Sequence, residues 1–594
     1  MFRRPMTLLI LAILVLSATY GATARAADAL PAAEEWVPRQ ALIVLNVRDP
    51  KALLDLVLRP KLVEAVAASP VYKAQTDNQG FRDFQGLVRT LEQRLEAKWP
   101  AILRRLLGGG ATWAVGPKRG SLFIIDALDA EAPKALHEMI LQIARAAAAN
   151  KSETVDILPT RVGDVDTWSI GPNEAHAILG RRVVLASSPN VLKAVLDFRA
   201  GAGNGSISSV PAYQQAKKAA GADAAAMLYA NTAVLKNVPN VAKALAGDGN
   251  PLVALLAAPI TEAISRSTWL TLALKVKGET LTLEAITDGT IAATGAARFA
   301  VPAGAGDGAL PDLAVPRRIA AASLHRDLRG FYAAKDDLFP ERTSGLIFFE
   351  NMMGIFFTGR DLTEEVLGEM GPKVRLVVAE QKYDPAIGTP GMQLPAFAVV
   401  LPMKDPENFA LVVEEAWQKA VGLINFTRGQ KAEPGLIIDR PVHDGTKYTV
   451  ACFAPPRDKD KTAVDVRYNF RPALAMPGGY VIFSSTDGLA EDVMDALKKE
   501  AARPPRPRAG VHSLAEIEGA QLNSILAANR EGLIRQSMVD KGNTRQQAET
   551  EVDALLAIVK HVSRVALTVG TDQGRTKASL QVDLSLPSGG SGGK

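Results

Sequence analysis

Two segments of this sequence repeat one order of apolar, hydroxyl and helix-forming residues. The first, GRRVVLASSPNVLKAVL, covers residues 180–196, and the second, GGYVIFSSTDGLAEDVM, covers residues 478–494, 298 positions further along the chain. Each has a short β-branched or aromatic run, which predicts a strand, followed by hydroxyl residues and an amphipathic stretch, which predicts a helix. A chain that carries this strand–helix segment twice is expected to fold as two related halves.

The two predicted helices begin with residues suited to a helix N-terminus. Ser188 and Thr486 stand at the N-cap position, where a side-chain oxygen accepts a free first-turn N–H. Pro189 and Asp487 follow, and there a proline loses no hydrogen bond and a carboxylate suits the helix dipole. These structural roles explain the hydroxyl residues, so we assign them no catalytic role.

Other segments recur in the same order. Residues 45–56 (LNVRDPKALLDL) parallel residues 323–334 (SLHRDLRGFYAA), and both pass from a strand-like run through Arg-Asp into a helix. Residues 122–140 parallel residues 396–416, and both read as strand, acidic turn and amphipathic helix. The preserved order indicates a duplication followed by divergence.

An alternating hairpin pattern closes each half. Apolar residues alternate with polar ones on both sides of Gly278 in the first half and of Gly574 in the second. This period of two around a glycine turn predicts an antiparallel hairpin with one buried face. We therefore predict an α+β fold of two tandem related domains, each a mainly antiparallel sheet with helices packed on it.

Composition marks the predicted domain limits. An Ala-, Gly- and Pro-rich stretch at residues 296–316 is typical of a linker, and the chain ends in a Gly/Ser-rich sequence. The predicted organisation is a signal peptide (1–26), a first domain (27–290), a linker (291–315), a second domain (316–586) and a tail (587–594).

The N-terminus has the features of a secretory signal peptide. Arg3 and Arg4 precede an apolar run, and Ala24-Arg25-Ala26 forms a small-x-small cleavage site. The alternative is a retained membrane anchor, although the run is short for a spanning helix. Cleavage removes three arginines and no acid, so the net charge falls from +5 to +2. A nearly neutral chain has no overall positive electrostatic field that would attract nucleic acid.

Motifs for catalysis, metals or cofactors are missing from the sequence. The six histidines are scattered, and Leu141 stands where a zinc-protease motif starting at His137 needs a second histidine. The one cysteine, Cys452, lies in an alternating strand pattern that predicts a buried structural thiol. We therefore predict no catalytic residue, metal site or cofactor.

The most unusual segment is LIFFENMMGIFFTG, residues 346–359. A helix that is apolar nearly all round is expected to be buried as a core helix or a contact between the halves. The alternative is an exposed apolar surface or cleft for a ligand or partner, since Phe and Met suit adaptable surfaces. The residues that would make this contact are Phe348, Phe349, Met352, Met353 and Phe356.

The signal peptide, the duplicated segments and the motif VVLASSPNVLKAVLDF together resemble a family of large exported bacterial proteins whose domains have no known function. Members share a (V/I)-(V/I)-x-(A/S)-(S/T) strand followed by a helix, and alternating hairpins near the C-terminus. The resemblance implies a periplasmic or extracellular location, and it supplies no catalytic residues.

Three functions are compatible with these patterns. The first is a non-catalytic protein that binds or scaffolds an envelope protein, with no stable membrane span after signal cleavage. The second is a periplasmic carrier or chaperone for an apolar ligand, and the third is a hydrolase whose residues converge from distant positions. A dry cavity beside residues 346–359 would favour the carrier, and a pocket that joins a histidine to a carboxylate would favour the hydrolase.

Overall fold

The chain forms two compact units in the computed structural model. Of the residues that the structure describes, the first contains those up to Val241, the segment Ser267–Asp288 and those from Leu584, and the second contains those of Ala242–Arg266 and Gly289–Asp583. The structure describes residues 31–58, 76, 79–117, 120–151, 157–170, 174–199, 205–246, 249–291, 295–302, 304, 307–456, 464–572 and 574–585. The predicted signal peptide and Gly/Ser tail lie outside these residues.

The described part of the first unit has ten strands, with helices on both faces of their sheet. The strands are β1 (Ile43–Val47), β2 (Gly110–Val115), β3 (Ser121–Asp126), β4 (Ile157–Val162), β5 (Val165–Ile170), β6 (Glu174–Leu179), β7 (Arg182–Ala186), β8 (Ala226–Ala230), β9 (Leu270–Lys277) and β10 (Thr280–Thr287). The helices are α1 (Pro50–Val57), α2 (Gln79–Arg94), α3 (Trp99–Leu107), α4 (Glu131–Lys151), α5 (Pro189–Arg199), α6 (Pro211–Ala220) and α7 (Thr232–Leu235).

The strands of the first unit pair in the order β4–β5–β6–β7–β3–β2–β1–β8–β9–β10, with every pair antiparallel. Alternate residues of the central strands enter opposite cores. Val184 packs with α5 and α6 on one face, and Val183 packs with α2, α3 and α4 on the other. The unit therefore has three layers: helices, sheet and helices.

The second unit begins within α8 (Pro239–Ala246) and includes α9 (Pro251–Arg266). Its other helices are α10 (Leu328–Ala333), α11 (Lys335–Leu338), α12 (Thr343–Phe356), α13 (Pro406–Gln430), α14 (Asp487–Ala502), α15 (Gly519–Ala528), α16 (Arg530–Lys541) and α17 (Arg545–Val559). Its strands are β11 (Arg318–His325), β12 (Lys373–Ala379), β13 (Ala396–Pro402), β14 (Ile437–Asp439), β15 (Val442–His443), β16 (Thr446–Cys452), β17 (Ala473–Ala475), β18 (Tyr480–Ser484), β19 (Val511–Glu518), β20 (Val562–Asp572) and β21 (Arg575–Leu584).

The strands of the second unit pair antiparallel in the order β14–β16–β17–β18–β13–β12–β11–β19–β20, and β15 also pairs with β16. Ile482 packs with α14 on one face of this sheet, and Val481 packs with α13 on the other. The prediction of an α+β fold, with helices packed on antiparallel strands, is confirmed.

The segment predicted to be a linker is packed into the second unit over much of its length. Leu313 and Val315 belong to the core that contains α14, and Ala297 and Ala309 are fully buried. Small residues here allow close packing.

Helix α9 belongs to the second unit, although its sequence lies within the predicted first domain. Pro259 has no N–H, so the carbonyl of Leu255 lacks its usual partner within the helix. The Nε of Arg326 donates to that carbonyl at 2.8 Å. The Arg326 side chain is 2% exposed, and it also donates to the carbonyls of His325 and His512. A buried arginine thus replaces the hydrogen bond that a proline removed.

Candidate binding surface on helices α12 and α13

The five residues predicted to contact a ligand or partner all lie on α12, a helix with no buried residue. Phe348 is 71% exposed and Phe349 is 40% exposed. Met352, Met353 and Phe356 are half-buried. The expectation that this helix is buried on several sides is therefore not met, although Met353 packs against a core cluster.

One side of α12 is covered and the other is open. Met353 and Phe357 pack against a cluster that contains Phe409 of α13. Phe348 and Ile355 lie on one face of the helix because they are seven residues, or about two turns, apart. Ile355 is 69% exposed, so this second face carries large apolar side chains into solvent.

Helix α13 packs against α12 and also exposes apolar side chains. Thr358, just after α12, accepts a hydrogen bond from Lys419 at 2.6 Å and donates one to Glu415 at 2.8 Å. Leu411 is 73% exposed and Phe426 is 63% exposed. The term "apolar surface" is used below for the exposed side chains of the two helices, which are Ile347, Phe348, Phe349, Ile355, Leu411, Leu423, Ile424 and Phe426.

Helix α12 carries only one charged residue, Glu350. Its carboxylate lies 3.9 Å from the Nζ of Lys335, which is mostly buried. The exposed face of α12 thus combines large apolar groups with little charge. Such a face suits an apolar partner.

Two histidines that are far apart in the sequence meet in the first unit. Nδ1 of His137 lies 2.8 Å from Nε2 of His176, and the ring of Trp168 is 4.3 Å from that of His137. Burial lowers the pKa of His176 to about 4, helped by the neighbouring His137. The pair is therefore neutral near pH 7, and it has the character of a packed aromatic cluster. Sequence spacing contained no signal for it.

The second unit contains a histidine–carboxylate pair. Nε2 of His443 lies 2.9 Å from the Asp495 carboxylate, which is 48% exposed, and Nδ1 lies 3.9 Å from Glu491. The hydrogen bond that His443 donates to the Asp495 carboxylate raises the pKa of His443. The Asp495 carboxylate therefore occupies Nε2, and the group nearest to Nδ1 is a second carboxylate, whereas a hydrolase of the serine or cysteine type places a nucleophile on one ring nitrogen.

Within the described ranges, no three His, Cys, Asp or Glu side chains are grouped as metal ligands would be. Cys452 lies on β16 as predicted, but it is half-buried instead of fully buried.

None of the helices that the structure describes has the length and apolar character needed to cross a membrane.

No protein-family model and no curated protein sequence matches this chain. Among solved structures, crystal forms of TP0453 from Treponema pallidum are similar at 9% sequence identity. Form III covers 44% of this chain and 80% of that protein with a TM-score of 0.25, and form I covers 45% and 81% with a TM-score of 0.22. Scores this low carry no argument about function.

Proposed function

We propose that this chain is an exported bacterial protein without catalytic activity, which binds or scaffolds an envelope protein through the apolar surface. The observation that carries the proposal is the exposure of Phe348 and Ile355 on a helix that is otherwise almost free of charge. Burying one such side chain contributes about 1.5–3 kcal/mol. A partner that covered both would thus gain a large part of the free energy of a stable complex.

A protein partner accounts for this surface better than a small apolar ligand. Phe348, Ile355 and Leu411 each keep about seven-tenths of their area in solvent. A carrier surrounds most of its ligand with a cavity, whereas outward side chains can be desolvated only by another large surface.

The fold itself does not require an exposed helix at this place in the chain. In the first unit, α3 lies between the first two strands, as α12 does in the second unit. There Ile102 and Leu103 are fully buried. The contrast supports a specific role for the exposed side chains of α12.

We also infer that the two units are diverged copies of one domain. Their strand orders correspond position by position, from β4 and β14 through the central β3 and β13 to β9 and β20. The pair Ile124–Val184 at the centre of the first sheet corresponds to Val400–Ile482 in the second. General strand and helix preferences can explain why single segments of the two units are similar. A shared order of nine strands supports common descent.

The helix N-termini support the same inference, because three helices of the first unit and their counterparts in the second have N-cap side chains that accept the same hydrogen bond. An Asp49 oxygen accepts from the amide of Ala52 at 2.9 Å, and Asp327 accepts from Gly330 at 2.9 Å. The second matched pair of N-caps is Asp129 and Asp405, and the third is Ser188 and Thr486.

Site-specific photocrosslinking in the native envelope tests the proposed function. A photoreactive residue would replace Phe348 in one variant and Arg545 in a control. Arg545 is exposed on α17 of the same unit, among charged neighbours. We expect a discrete adduct of protein size from position 348 and none from position 545.

A second change separates specific contact from general stickiness. Ile355→Asp should abolish the adduct at position 348, because burying an unpaired carboxylate under the partner costs more free energy than the apolar contact contributes. Equal adducts at both positions, or none at either, would count against a docking surface. An adduct of lipid mass would favour the carrier alternative instead.

A further inference from the structure

The first unit contains an open cleft of about 580 Å³, well away in sequence from the apolar surface. Helix α6 and the loop after it form one wall, and the end of β1 contributes Arg48. The lining residues are Glu34, Arg48, Ser208, Tyr213, Gln214, Lys217, Lys218, Gly221 and Ala222. This volume suits a small molecule.

The charges that line the cleft do not balance. Glu34 is the one carboxylate of the lining, and it is 5% exposed. It accepts hydrogen bonds from Asn46 at 2.7 Å and from Tyr213 at 3.2 Å, and it forms an ion pair with Lys217. Lys217 therefore offsets the charge of Glu34, and Arg48 and Lys218 remain as net positive charge.

The guanidinium of Arg48 is only partly used by the protein. Nη1 donates to the Gly221 carbonyl at 3.0 Å, and Nη2 donates to the sulfur of Met227 at 2.9 Å. A thioether is a weak acceptor, and an arginine has five N–H donors. Among the described residues, no carboxylate forms an ion pair with Arg48, and three of its N–H donors, including that of the buried Nε, have no protein acceptor.

In the second unit, the arginine at the corresponding position, Arg326, has its hydrogen-bond donors paired with acceptors of the protein. Arg326 also follows the first strand of its unit and precedes an aspartate N-cap. Its guanidinium donates to carbonyls of α9 and to His512 and Ser513, and it is 2% exposed. Arg48 has none of these acceptors and remains half-buried at the cleft.

The element that builds the cleft is also particular to the first unit. Helix α6, which carries Tyr213, Lys217 and Lys218, lies between α5 and β8. The second unit passes from α14 to β19 through residues 503–510, without such a helix. The two lysines beside Arg48 thus lie on a helix that has no counterpart in the second unit.

We propose that this cleft binds a small organic anion through its carboxylate or phosphate oxygens, with Arg48 and Lys218 as the residues that contact the anionic group. A two-oxygen anion is the complement of an arginine fork with free N–H donors. The neutral ring of Tyr213 and the side chain of Ala222 supply apolar wall for the rest of the ligand. Burial raises the pKa of Tyr213, which keeps its hydroxyl a donor to Glu34.

Calorimetric titration of the mature chain with inorganic phosphate and with acetate tests this site. Each probe carries the anionic group alone, so we expect weak saturable binding, with a Kd of about 1 mM for at least one of them. Arg48→Met and Lys218→Met should each weaken binding by about tenfold. Binding of one probe only would identify the anion as phosphate or carboxylate.

Arg161→Met is the matched control, since Arg161 is an exposed arginine of the same unit outside the cleft. It should bind the probes as the unmodified chain does. Circular dichroism and the thermal midpoint without probe establish that each variant is folded, and exposed Lys218 provides a test even if Arg48→Met does not fold. The proposal is overturned if neither anion binds saturably, or if Arg161→Met weakens binding as much as the two cleft variants do.

Discussion

The hydroxyl of Ser485 accepts a hydrogen bond from the amide of Phe397 at 2.9 Å, while the Ser485 amide donates to the Phe397 carbonyl at 2.8 Å. Ser187 makes the same two bonds with Ser121 in the first unit, both at 2.9 Å. In each unit, a serine side chain thus satisfies one more backbone amide where the central strand pair ends. Ser187 and Ser485 therefore have matching structural roles in the two units.

Removing these hydroxyls tests whether the two strand ends are equivalent. Ser485→Ala and Ser187→Ala each leave one backbone amide without its side-chain acceptor, so we expect each to destabilise its unit by about 1–2 kcal/mol. Urea denaturation measures the cost, and Ser→Cys substitutions are the size-matched controls. A cost at one position and none at the other would contradict equivalent roles.

Stability measurements should separate the two sides of α12. Phe348→Ser and Ile355→Ser remove side chains that are about 70% exposed, so we expect changes within about 0.5 kcal/mol. Met353→Ala removes packing against the core and should cost about 2 kcal/mol. If the serine variants lose as much as Met353→Ala in urea denaturation, the exposed side chains stabilise the fold instead of a complex.

The stability of the second unit should depend on the protonation of His512. Burial lowers the pKa of this 1% exposed side chain to about 3, helped by the charge of Arg326 and by His325. A histidine in the unfolded chain titrates near pH 6.5, so acid favours the unfolded state, which binds the proton more tightly. Neutral His512 makes its full contribution to the free energy of unfolding above about pH 6.5. Between about pH 6.5 and pH 3, this contribution falls by up to about 1.4 kcal/mol per pH unit.

Comparing the unmodified chain with His512→Gln isolates this contribution, since glutamine does not titrate. Urea denaturation between about pH 7 and pH 5 should show a shallower loss of stability in the variant. An identical slope would mean that other groups, such as His325, account for the acid sensitivity.

A double-mutant cycle tests the bond between Arg326 and α9. Arg326→Met should cost about 3 kcal/mol, because several buried carbonyls lose their donor. In a Pro259→Ala background, the new backbone amide can bond the Leu255 carbonyl, so the same change should cost about 1 kcal/mol less. Strict additivity in urea denaturation would show that the arginine does not replace the missing helix bond.

Local chemistry determined much of the fold from the sequence alone. The strands predicted to end at Ser187 and Ser485 end one residue earlier, and the caps at Ser188 and Thr486 form as predicted, because alternation, capping and helix periodicity act over a few residues. The closing hairpin at Gly278 followed for the same reason, since its positive φ of 63° is a property of one residue.

Tertiary structure decided which of these elements are covered, and by what. The apolar sequence of α12 was compatible with burial or exposure, and only the arrangement of its neighbours leaves Phe348 in solvent. The meeting of His137 with His176, the inclusion of α9 in the second unit and the free donors of Arg48 likewise depend on residues tens to hundreds of positions apart. The periodicity of a sequence predicts whether one face of a helix or strand is apolar or charged. It does not predict which residues pack against that face, because those contacts join segments that are far apart in the chain.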